Sequence, residues 1–376
     1  MMEKFRKELY SCVRCGICRD WGGWKEADLI CPWIKVTSGF ESNYARGRMR
    51  LAQSFLEKSL PVTQSYLEKV YLCSLCGSCE AHCPLELPTV NIFESLRSDL
   101  VEAGYQLERH KVLAARWRER GNPYGKTRIF NIQKAPKKAD VLYFAGCTSA
   151  INACEIATST LNVLEKAGLT VATLGDNEPC CGSVFLRTGQ RKLATEAANR
   201  TVKALESLKP ALVVTACAGC YRTIKQDYPL LGVKYDFEVQ HSTQFLGELL
   251  KEGRLRLKSL HETVTYHDPC HLGRHMKVYE EPREILTNIP GVKFAETSPK
   301  REHALCCGAG GGAKVAFPEK VNNIALNRLE QVKETNAKIL TSACPFCYTN
   351  FRDALNKTGL DIKMLDISQL IEEIIL

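Results

Sequence analysis

The segment Ala216-Cys217-Ala218-Gly219-Cys220-Tyr221 returns later in the chain as Ala343-Cys344-Pro345-Phe346-Cys347-Tyr348. Each segment closes a five-cysteine pattern made of a single cysteine, an adjacent Cys-Cys-Gly and a Cys-x2-Cys pair. The two copies have 32 and 35 residues before the adjacent pair, and 35 and 36 residues after it. This agreement indicates an internal duplication of a cluster-binding unit. The ten cysteines are Cys147, Cys180, Cys181, Cys217 and Cys220, and then Cys270, Cys306, Cys307, Cys344 and Cys347.

Short β-branched runs alternate with amphipathic stretches from residue 141 onward, which is typical of parallel α/β units. The predicted strands are 141–146, 170–174 and 211–216 in the first copy, and 264–267, 292–295 and 338–342 in the second. Because ligands collect at the carboxyl ends of strands in an open α/β sheet, we expect both cysteine sets to lie there. We also expect Cys220 and Cys347 at helix N-termini, where the helix dipole favours a thiolate.

Eight further cysteines form two motifs in the first 84 residues. The second motif, Cys73-x2-Cys76-x2-Cys79-x3-Cys83-Pro, is the two-cluster ferredoxin signature, and the first, Cys12-x2-Cys15-x2-Cys18-x12-Cys31-Pro, differs in its longer last gap. In such pairs the fourth cysteine ligates the other cluster. This rule assigns Cys12, Cys15, Cys18 and Cys83 to one [4Fe–4S] cubane, and Cys73, Cys76, Cys79 and Cys31 to the other. Zinc also uses Cys-x2-Cys pairs, but the Cys-Pro endings and the threefold spacing go beyond what zinc needs.

Apolar residues at helical spacing over 45–56, 63–72 and 89–104 predict an all-α domain at 1–104 that resembles the α-helical ferredoxin domain of succinate dehydrogenase iron–sulfur subunits. A basic connector follows at 105–140, with ten Lys or Arg between Arg109 and Lys138. It is either a solvated linker or a docking face for an acidic redox partner. The two α/β copies are expected at 141–260 and 261–376.

Composition excludes several classes of protein. The formal charge of +9 does not indicate nucleic-acid binding, because four anionic clusters would cancel most of it. Cysteines clustered in Cys-x2-Cys pairs in a 376-residue chain do not fit a secreted disulfide scaffold and favour a reducing, anaerobic compartment. With neither a signal peptide nor a membrane span in view, we expect the cytoplasm, with any membrane contact made through a partner.

The order and spacing of eighteen cysteines, from Cys12 to Cys347, resemble the D subunit of heterodisulfide reductase and its relatives, in which a two-cluster ferredoxin domain precedes two cysteine-rich CCG domains. The resemblance implies a noncubane [4Fe–4S] cluster in each complete CCG copy, with one cysteine bridging two irons. It also implies an iron–sulfur oxidoreductase subunit that passes electrons through two cubanes and reduces a disulfide to thiols. The electrons would come from a flavoprotein, a membrane cytochrome or another redox subunit.

Relatives with the same architecture leave an alternative open. The iron–sulfur subunits of glycolate oxidase and anaerobic glycerol-3-phosphate dehydrogenase serve flavin-dependent dehydrogenases. The chain would then relay electrons for the oxidation of a 2-hydroxy acid, glycerol-3-phosphate or an acyl-CoA, without disulfide chemistry.

Within the duplication, the second copy has features that favour it as the catalytic one, with Cys270, Cys306, Cys307, Cys344 and Cys347 as its metal ligands. His267 and His271 flank Cys270, where the first copy has Phe144 and Thr148. These histidines are either hydrogen-bonding and packing partners of the cluster or proton donors to the thiolate that leaves a cleaved disulfide.

Glycines follow both adjacent cysteine pairs. Gly182 and Gly308 are expected to let the backbone turn close to the cluster and aim N–H groups at its sulfurs. The second copy continues as a glycine run, 308–312, in which Gly310 and its neighbours are expected to leave room for a substrate. The run lacks the GxxxxGK[ST] order of a phosphate-binding loop.

Smaller expectations concern single residues. We expect His82 to be a hydrogen-bond donor rather than a ligand, and Cys154 to be a buried core cysteine. The three tryptophans Trp21, Trp24 and Trp33 are expected to shield the first cubane. The C-terminal apolar face at 367–375 is expected to pack on the chain's own sheet.

Overall fold

A computed structural model describes the chain at residues 1–20 and 29–376. Within the first 120 residues, every regular element that the structure describes is a helix. All three helices expected in this part are present, each within two residues of its predicted ends. The helices are α1 (Arg6–Tyr10), α2 (Ala45–Glu57), α3 (Gln64–Tyr71), α4 (Ser78–Ala81), α5 (Thr89–Glu102) and α6 (Glu108–Arg120).

An apolar face and, in α3, a residue that caps the first turn explain why these segments form helices. In α2, Ala45, Met49 and Ala52 are buried along one side, at the spacing of an amphipathic helix. Helix α3 begins at Thr63, whose hydroxyl accepts a hydrogen bond from the N–H of Tyr66 at 3.2 Å. The apolar faces meet in a core that surrounds the cysteine motifs.

The first α/β copy has a five-stranded sheet in the order β1-β3-β2-β4-β5. Its inner strands run parallel, and β1 joins antiparallel to β3 at the edge. Because β1 lies within the stretch expected to be a linker, the connector contributes to this sheet. The elements are β1 (Gln133–Lys134), β2 (Val141–Tyr143), α7 (Cys147–Asn152), α8 (Cys154–Lys166), β3 (Val171–Leu174), α9 (Ser183–Arg187), α10 (Arg191–Glu206), β4 (Leu212–Thr215), α11 (Ala218–Arg222), α12 (Tyr228–Leu230), β5 (Glu238–His241) and α13 (Ser242–Lys251).

The second copy has a four-stranded parallel sheet in the order β7-β6-β8-β9, which repeats the parallel part of the first. The fold class predicted from the sequence, α/β with an N-terminal all-α domain, is confirmed. The elements are β6 (Thr263–His267), α14 (Glu280–Thr287), β7 (Lys293–Phe294), α15 (Ala313–Ala316), α16 (Pro318–Lys333), β8 (Ile339–Ser342), α17 (Pro345–Leu355), β9 (Lys363–Asp366) and α18 (Ile367–Ile374).

The two copies exchange helix contacts in a reciprocal way. The last helix of the second copy, α18, packs on α8 of the first as well as on its own strands, and Thr160 donates to Ser368 at 3.0 Å across this contact. The last helix of the first copy, α13, packs on α14 of the second, where Lys251 and Glu284 form a 2.7 Å ion pair. The apolar C-terminal face therefore packs within the chain, as expected. Among the described residues, no helix is both long and apolar enough to cross a membrane.

Candidate metal centres and the cavity between the copies

The eight N-terminal cysteines surround two separate cavities. Cys12, Cys15, Cys18 and Cys83 line the first, and Cys31, Cys73, Cys76 and Cys79 line the second, with Cys79 at the edge of the first as well. These are the two groups obtained when the fourth cysteine of each motif crosses to the other. Cys15 is exposed, whereas Cys31, Cys73 and Cys76 are buried. The first site therefore lies at the surface and the second inside the protein.

The expectations for two side chains near these sites have different outcomes. Trp33 lines the second cavity and donates from Nε1 to the Ser74 hydroxyl at 3.1 Å, so the expectation that it shields the first site is wrong. The related expectation for Trp21 and Trp24 lies outside the described residues. His82 bonds the Ser78 carbonyl at 2.7 Å and His303 at 2.8 Å, which is the hydrogen-bonding role expected for it.

Both five-cysteine sets are assembled in the same way. In the first copy Cys147 and Cys180 have sulfurs 3.7 Å apart, and Cys181 and Cys220 are 3.3 Å apart. The matching distances in the second copy are 3.9 Å between Cys270 and Cys306 and 3.4 Å between Cys307 and Cys347. The fifth cysteines, Cys217 and Cys344, stand at the N-caps of α11 and α17, after strands β4 and β8. Cys220 and Cys347 then fall in the first turns of these helices, as expected.

The donor chemistry of these sets fits an iron–sulfur cluster. All ten thiols are buried, and the sulfur separations are far longer than the roughly 2.05 Å of a disulfide. Neighbouring thiols lower the pKa of one cysteine in the first set and two in the second: Cys180 and Cys220 lower the pKa of Cys181 to about 5, Cys306 and Cys347 lower that of Cys307, and Cys217 and Cys347 lower that of Cys344. Thiolate is the form that binds metal. Buried, convergent, ionisable thiols without a disulfide are what a cluster requires.

The two sets open into one cavity of about 140 Å³ between the copies. Cysteines of both copies line it, and Cys217 and Cys344 lie close to each other. Residues of the second copy therefore share this cavity with residues of the first, and the preference for the second copy as the catalytic one stays a prediction. Reciprocal helix packing turns the carboxyl ends of the two sheets toward each other, and this arrangement could not be read from either copy by itself.

The connector forms part of this cavity instead of a solvated linker. Leu113, Arg116 and Tyr124 line the cavity, and the Tyr124 hydroxyl bonds that of Thr148 at 2.8 Å. Helix α6 is held by both copies, because Trp117 packs edge-on against Phe185 and His110 bonds the Gly312 carbonyl at 3.0 Å. The signal that sequence reasoning missed was the apolar spacing of residues 113, 114 and 117 within the basic stretch.

The glycine run of the second copy serves domain contact. A Cβ at Gly310 would lie 2.8 Å from the Ser74 backbone oxygen, and one at Gly311 would lie 2.6 Å from that of Cys73. The N-terminal domain therefore fills the space on one side of these glycines, while Gly310, Gly311 and Gly312 also line the cavity, so their role in leaving room for a substrate stays a prediction. Gly308, with φ +89°, turns the chain so that its N–H points at the Cys306 sulfur, 3.3 Å away, as expected. Gly182 has the same left-handed conformation in the first copy, with φ +79°.

The two histidines beside Cys270 have different surroundings. His267 lies behind the cavity, fully buried, with a ring nitrogen within 4.8 Å of the Cys307 and Cys347 sulfurs and its ring 4.7 Å from that of Phe351. Neither ring nitrogen has a hydrogen-bond partner among the described residues, and His267 does not line the cavity, so it is better placed to bond or ligate a cluster held by these cysteines than to give a proton to a substrate.

His271 does line the cavity, and its Nε2 lies 3.4 Å from the Arg222 guanidinium. Burial, together with the positive charges of Arg222 and Arg187, holds its pKa well below the usual range. The ring is therefore neutral near pH 7, with Nε2 accepting from Arg222 and the proton on Nδ1. A neutral imidazole donates a hydrogen bond but is a poor source of a proton, so this environment favours the hydrogen-bonding role of the two that the sequence left open.

One cysteine stands outside all four sets. Cys154 is the first residue of α8, half-buried, with its sulfur 3.7 Å from a Glu155 carboxylate oxygen. The expectation of a buried core cysteine is wrong because the helix start leaves its side chain at the domain surface.

Comparison with known proteins gives two family matches and several related proteins. The 4Fe-4S dicluster domain family matches residues 8–87, and the cysteine-rich domain family, CCG, matches residues 141–225 and 264–352. The chain is 38% identical to the D subunit of the dihydromethanophenazine:CoB–CoM heterodisulfide reductase of Methanosarcina barkeri, over 97% of this chain and 94% of that protein. It is 26% identical to the EtfAB:quinone oxidoreductase of Syntrophomonas wolfei, over 97% of this chain and 58% of that protein. A hypothetical protein from Helicobacter pylori shares the fold, with a TM-score of 0.61 at 12% identity over 87% of this chain and 67% of that one.

Proposed function

The chain belongs to the family of the heterodisulfide reductase D subunits, and we propose that it carries the site at which a disulfide is reduced to two thiols. It is an iron–sulfur oxidoreductase subunit with [4Fe–4S] clusters in its N-terminal part. The proposed reaction is R–S–S–R′ with two electrons and two protons giving R–SH and R′–SH. The observation that carries the proposal is that nine of the ten cysteines of the two five-cysteine sets, all except Cys306, line one cavity.

We assign each five-cysteine set to a noncubane [4Fe–4S] cluster. Such clusters, when bound, supply electrons one at a time and iron that can hold sulfur. The fifth cysteines, Cys217 and Cys344, lie at the junction of the two sets. A disulfide in this cavity would have one cysteine set on each side, and this placement favours cleavage between the sets over cleavage at one of them.

The remaining cavity residues fit the handling of a sulfur substrate. The walls are largely apolar, with side chains of Leu113, Pro123, Val184, Pro269, Ala309 and Phe346. The neutral ring of His271 can donate from Nδ1, which faces Gly219 in the same cavity, to a sulfur that gains negative charge. The two protons of the reaction then come from solvent, and His271 orients and stabilises the leaving sulfur.

The order of the cysteine sites indicates the direction of electron flow. The first N-terminal site is at the surface, the second is buried, and Cys76 in the second site lies close to Cys306 of the second copy. We propose that electrons from a redox partner enter at the first site and leave the second through Cys76 and Cys306.

The test uses the anaerobically purified chain with its full iron content. Reduced methyl viologen is the electron donor, and both viologen oxidation and thiol release are recorded with the CoM–CoB disulfide. Two viologens oxidised and two thiols released per disulfide support the proposal. In addition, CoM or CoB thiol added to the oxidised protein should produce a new EPR signal if substrate sulfur reaches a cluster.

Cysteine variants supply the matched comparison. Cys344→Ser should abolish thiol release, whereas Cys154→Ser, outside all four sets, should keep full iron and full turnover. A chain with complete iron that shows no disulfide turnover and no EPR response to thiol would contradict disulfide chemistry.

That negative result would favour the second candidate, an electron relay for a flavin-dependent dehydrogenase. The similarity to an EtfAB:quinone oxidoreductase over 97% of this chain supports this alternative. In that case a reduced electron-transfer flavoprotein should reduce the clusters of the chain, and no thiol should be formed.

A further inference from the structure

Three buried arginines converge on the backbone of the second cysteine motif. Arg48 donates to the carbonyl of Leu72, Arg97 to that of Cys73 at 2.8 Å, and Arg274 to that of Cys76 at 2.8 Å. Arg48 and Arg97 belong to the N-terminal domain, whereas Arg274 comes from the second copy. Each guanidinium thus bonds a carbonyl within the five-residue stretch 72–76.

These three arginines have no carboxylate at ion-pair distance among the residues that the structure describes. Their other acceptors are backbone carbonyls: Arg97 also bonds those of Val70, Arg187 and Gly311, and Arg274 those of Glu302 and Ala304. Arg97 is 0% and Arg48 2% exposed. The nearby Glu94 does not pair with Arg97, because it bonds Arg187 and Arg222 instead.

Most other buried arginines follow the usual rule that a buried charge is paired. Arg187, Arg222 and Arg283 each contact a carboxylate. Arg328 is an exception that donates to Thr297 and Gln331 and to no carbonyl of a cysteine motif. Three unpaired guanidinium groups around one site are costly unless that site itself carries negative charge.

The charge of the second site can supply this compensation. A [4Fe–4S]2+ core with four thiolates carries a net charge of about −2, and about −3 after it accepts one electron. Guanidinium groups remain positively charged in proteins. Three of them therefore balance the site best after one electron has arrived.

The first site has a different environment. Arg46 lies in its cavity, but its side chain is 30% exposed and pairs with Glu41 at 2.7 Å. Arg19, which also pairs with Glu41, is similarly exposed. Solvent and the carboxylate both screen these charges, so they favour an added electron much less than a buried, unpaired guanidinium does.

We propose that Arg48, Arg97 and Arg274 are positioning residues that give the second N-terminal cluster a more positive reduction potential than the first. One electron from a reduced redox protein, entering at the surface site, then collects at the buried site, with no bond formed or broken and no proton moved at the arginines. This inference rests on electron entry through the two N-terminal sites, which is part of the proposed function, but not on the disulfide chemistry.

The test is a redox titration of the full chain, followed by EPR under anaerobic conditions, with iron quantified. Cys15→Ser alters the signal of the first cluster and so assigns the two signals. In the unaltered chain, the equilibrium constant for one-electron reduction should be at least tenfold larger at the second cluster, which is a separation of at least about 59 mV.

Arginine variants then test the cause. Arg274→Gln should lower the reduction constant of the second cluster at least tenfold, whereas Arg274→Lys, which keeps the charge, should lower it less than threefold. Arg46→Gln is the matched control, because it removes a paired, partly exposed guanidinium and should change either constant less than threefold. Disulfide turnover does not enter any of these readouts, so a failure of the disulfide chemistry leaves this test intact.

The proposal is overturned if the second cluster in the unaltered chain titrates at or below the first. It is also overturned if Arg274→Gln, with full iron, leaves the second constant within threefold of the original. If Arg274→Gln loses iron, the proposal is judged from the reduction constant of Arg274→Lys and from which of the two clusters is reduced first in the unaltered chain. A tenfold fall in the Lys variant at full iron would assign the effect to hydrogen-bond geometry and refute the role of charge.

Discussion

Gly310→Ala separates two roles for the glycine run, because this residue both lines the shared cavity and lies against the N-terminal domain. The added Cβ would stand 2.8 Å from the Ser74 backbone oxygen, whereas ordinary contacts begin at 3.4 Å, so the two backbones must part by roughly 0.6 Å. Backbone atoms cannot rotate away as a long side chain can, and overpacking of this kind costs about 1–3 kcal/mol. The same displacement moves Cys73 and Cys76 away from Cys306.

The matched variant is Gly219→Ala, which lines the same cavity but has its nearest neighbour, the Cys217 sulfur, at 3.7 Å. We expect Gly310→Ala to lower the melting temperature by about 2–6 °C at a fixed anaerobic scan rate and to slow disulfide reduction from viologen. Gly219→Ala should leave the melting temperature unchanged or slightly higher. If Gly310→Ala has the same melting temperature as the unaltered chain while Gly219→Ala loses turnover, the glycines leave room for a substrate and the argument from domain contact is wrong.

Three further predictions concern single side chains. Burial raises the pKa of Asp366 to about 7, so the protein loses stability as the pH rises from about 4 to about 7. Asp366→Asn, an equally good helix cap, should therefore melt higher than the unaltered chain at pH 8, and this difference should shrink steadily as the pH falls toward about 4. His271→Ala should lower turnover about tenfold at full iron, and the pH profile between 6 and 8 should not change because the ring is already neutral there. If the unaltered chain shows a pH-dependent step in this range that the variant lacks, the prediction is wrong. Thr63→Ala should destabilise α3 by about 1 kcal/mol, seen as a lower melting temperature, because it removes the side-chain cap; an unchanged melting temperature would contradict the cap.

Much of each domain could be predicted from the sequence, since local patterns encode it. The runs at 141–146 and 338–342 were recognisable because they are buried on both faces and carry few polar residues. Strands β5 and β9 were missed because they lie at sheet edges, and Glu238–His241 and Lys363–Asp366 each begin with an exposed charged residue. An edge position makes a strand harder to recognise but does not always hide it, because the edge strand β7 was predicted at 292–295 although it also begins with an exposed charged residue.

The cavity between the copies could not be predicted in this way. It depends on α18 packing on α8 and on α13 packing on α14. The sequence of one helix does not identify the helix on which it packs. The connector was misread because its ten cations hid an apolar stripe that includes Leu113 and Trp117. The number of charged residues in such a helix indicates what its solvent-exposed face is like and gives little information about the face that packs.

The two copies share a geometry but differ in their connection to the N-terminal clusters. In the second copy Cys306 is in contact with Cys76, whereas in the first copy Cys180 lies close to Tyr124 of the connector. Within the described residues, Cys217 and Cys344 are the pair that joins the sets. If electrons arrive through the second copy, they reach the first by crossing this junction, where the proposed disulfide would also bind. Cys217→Ser should then block the first copy while the second still takes up electrons, and equal reduction of both sets in this variant would contradict the serial order.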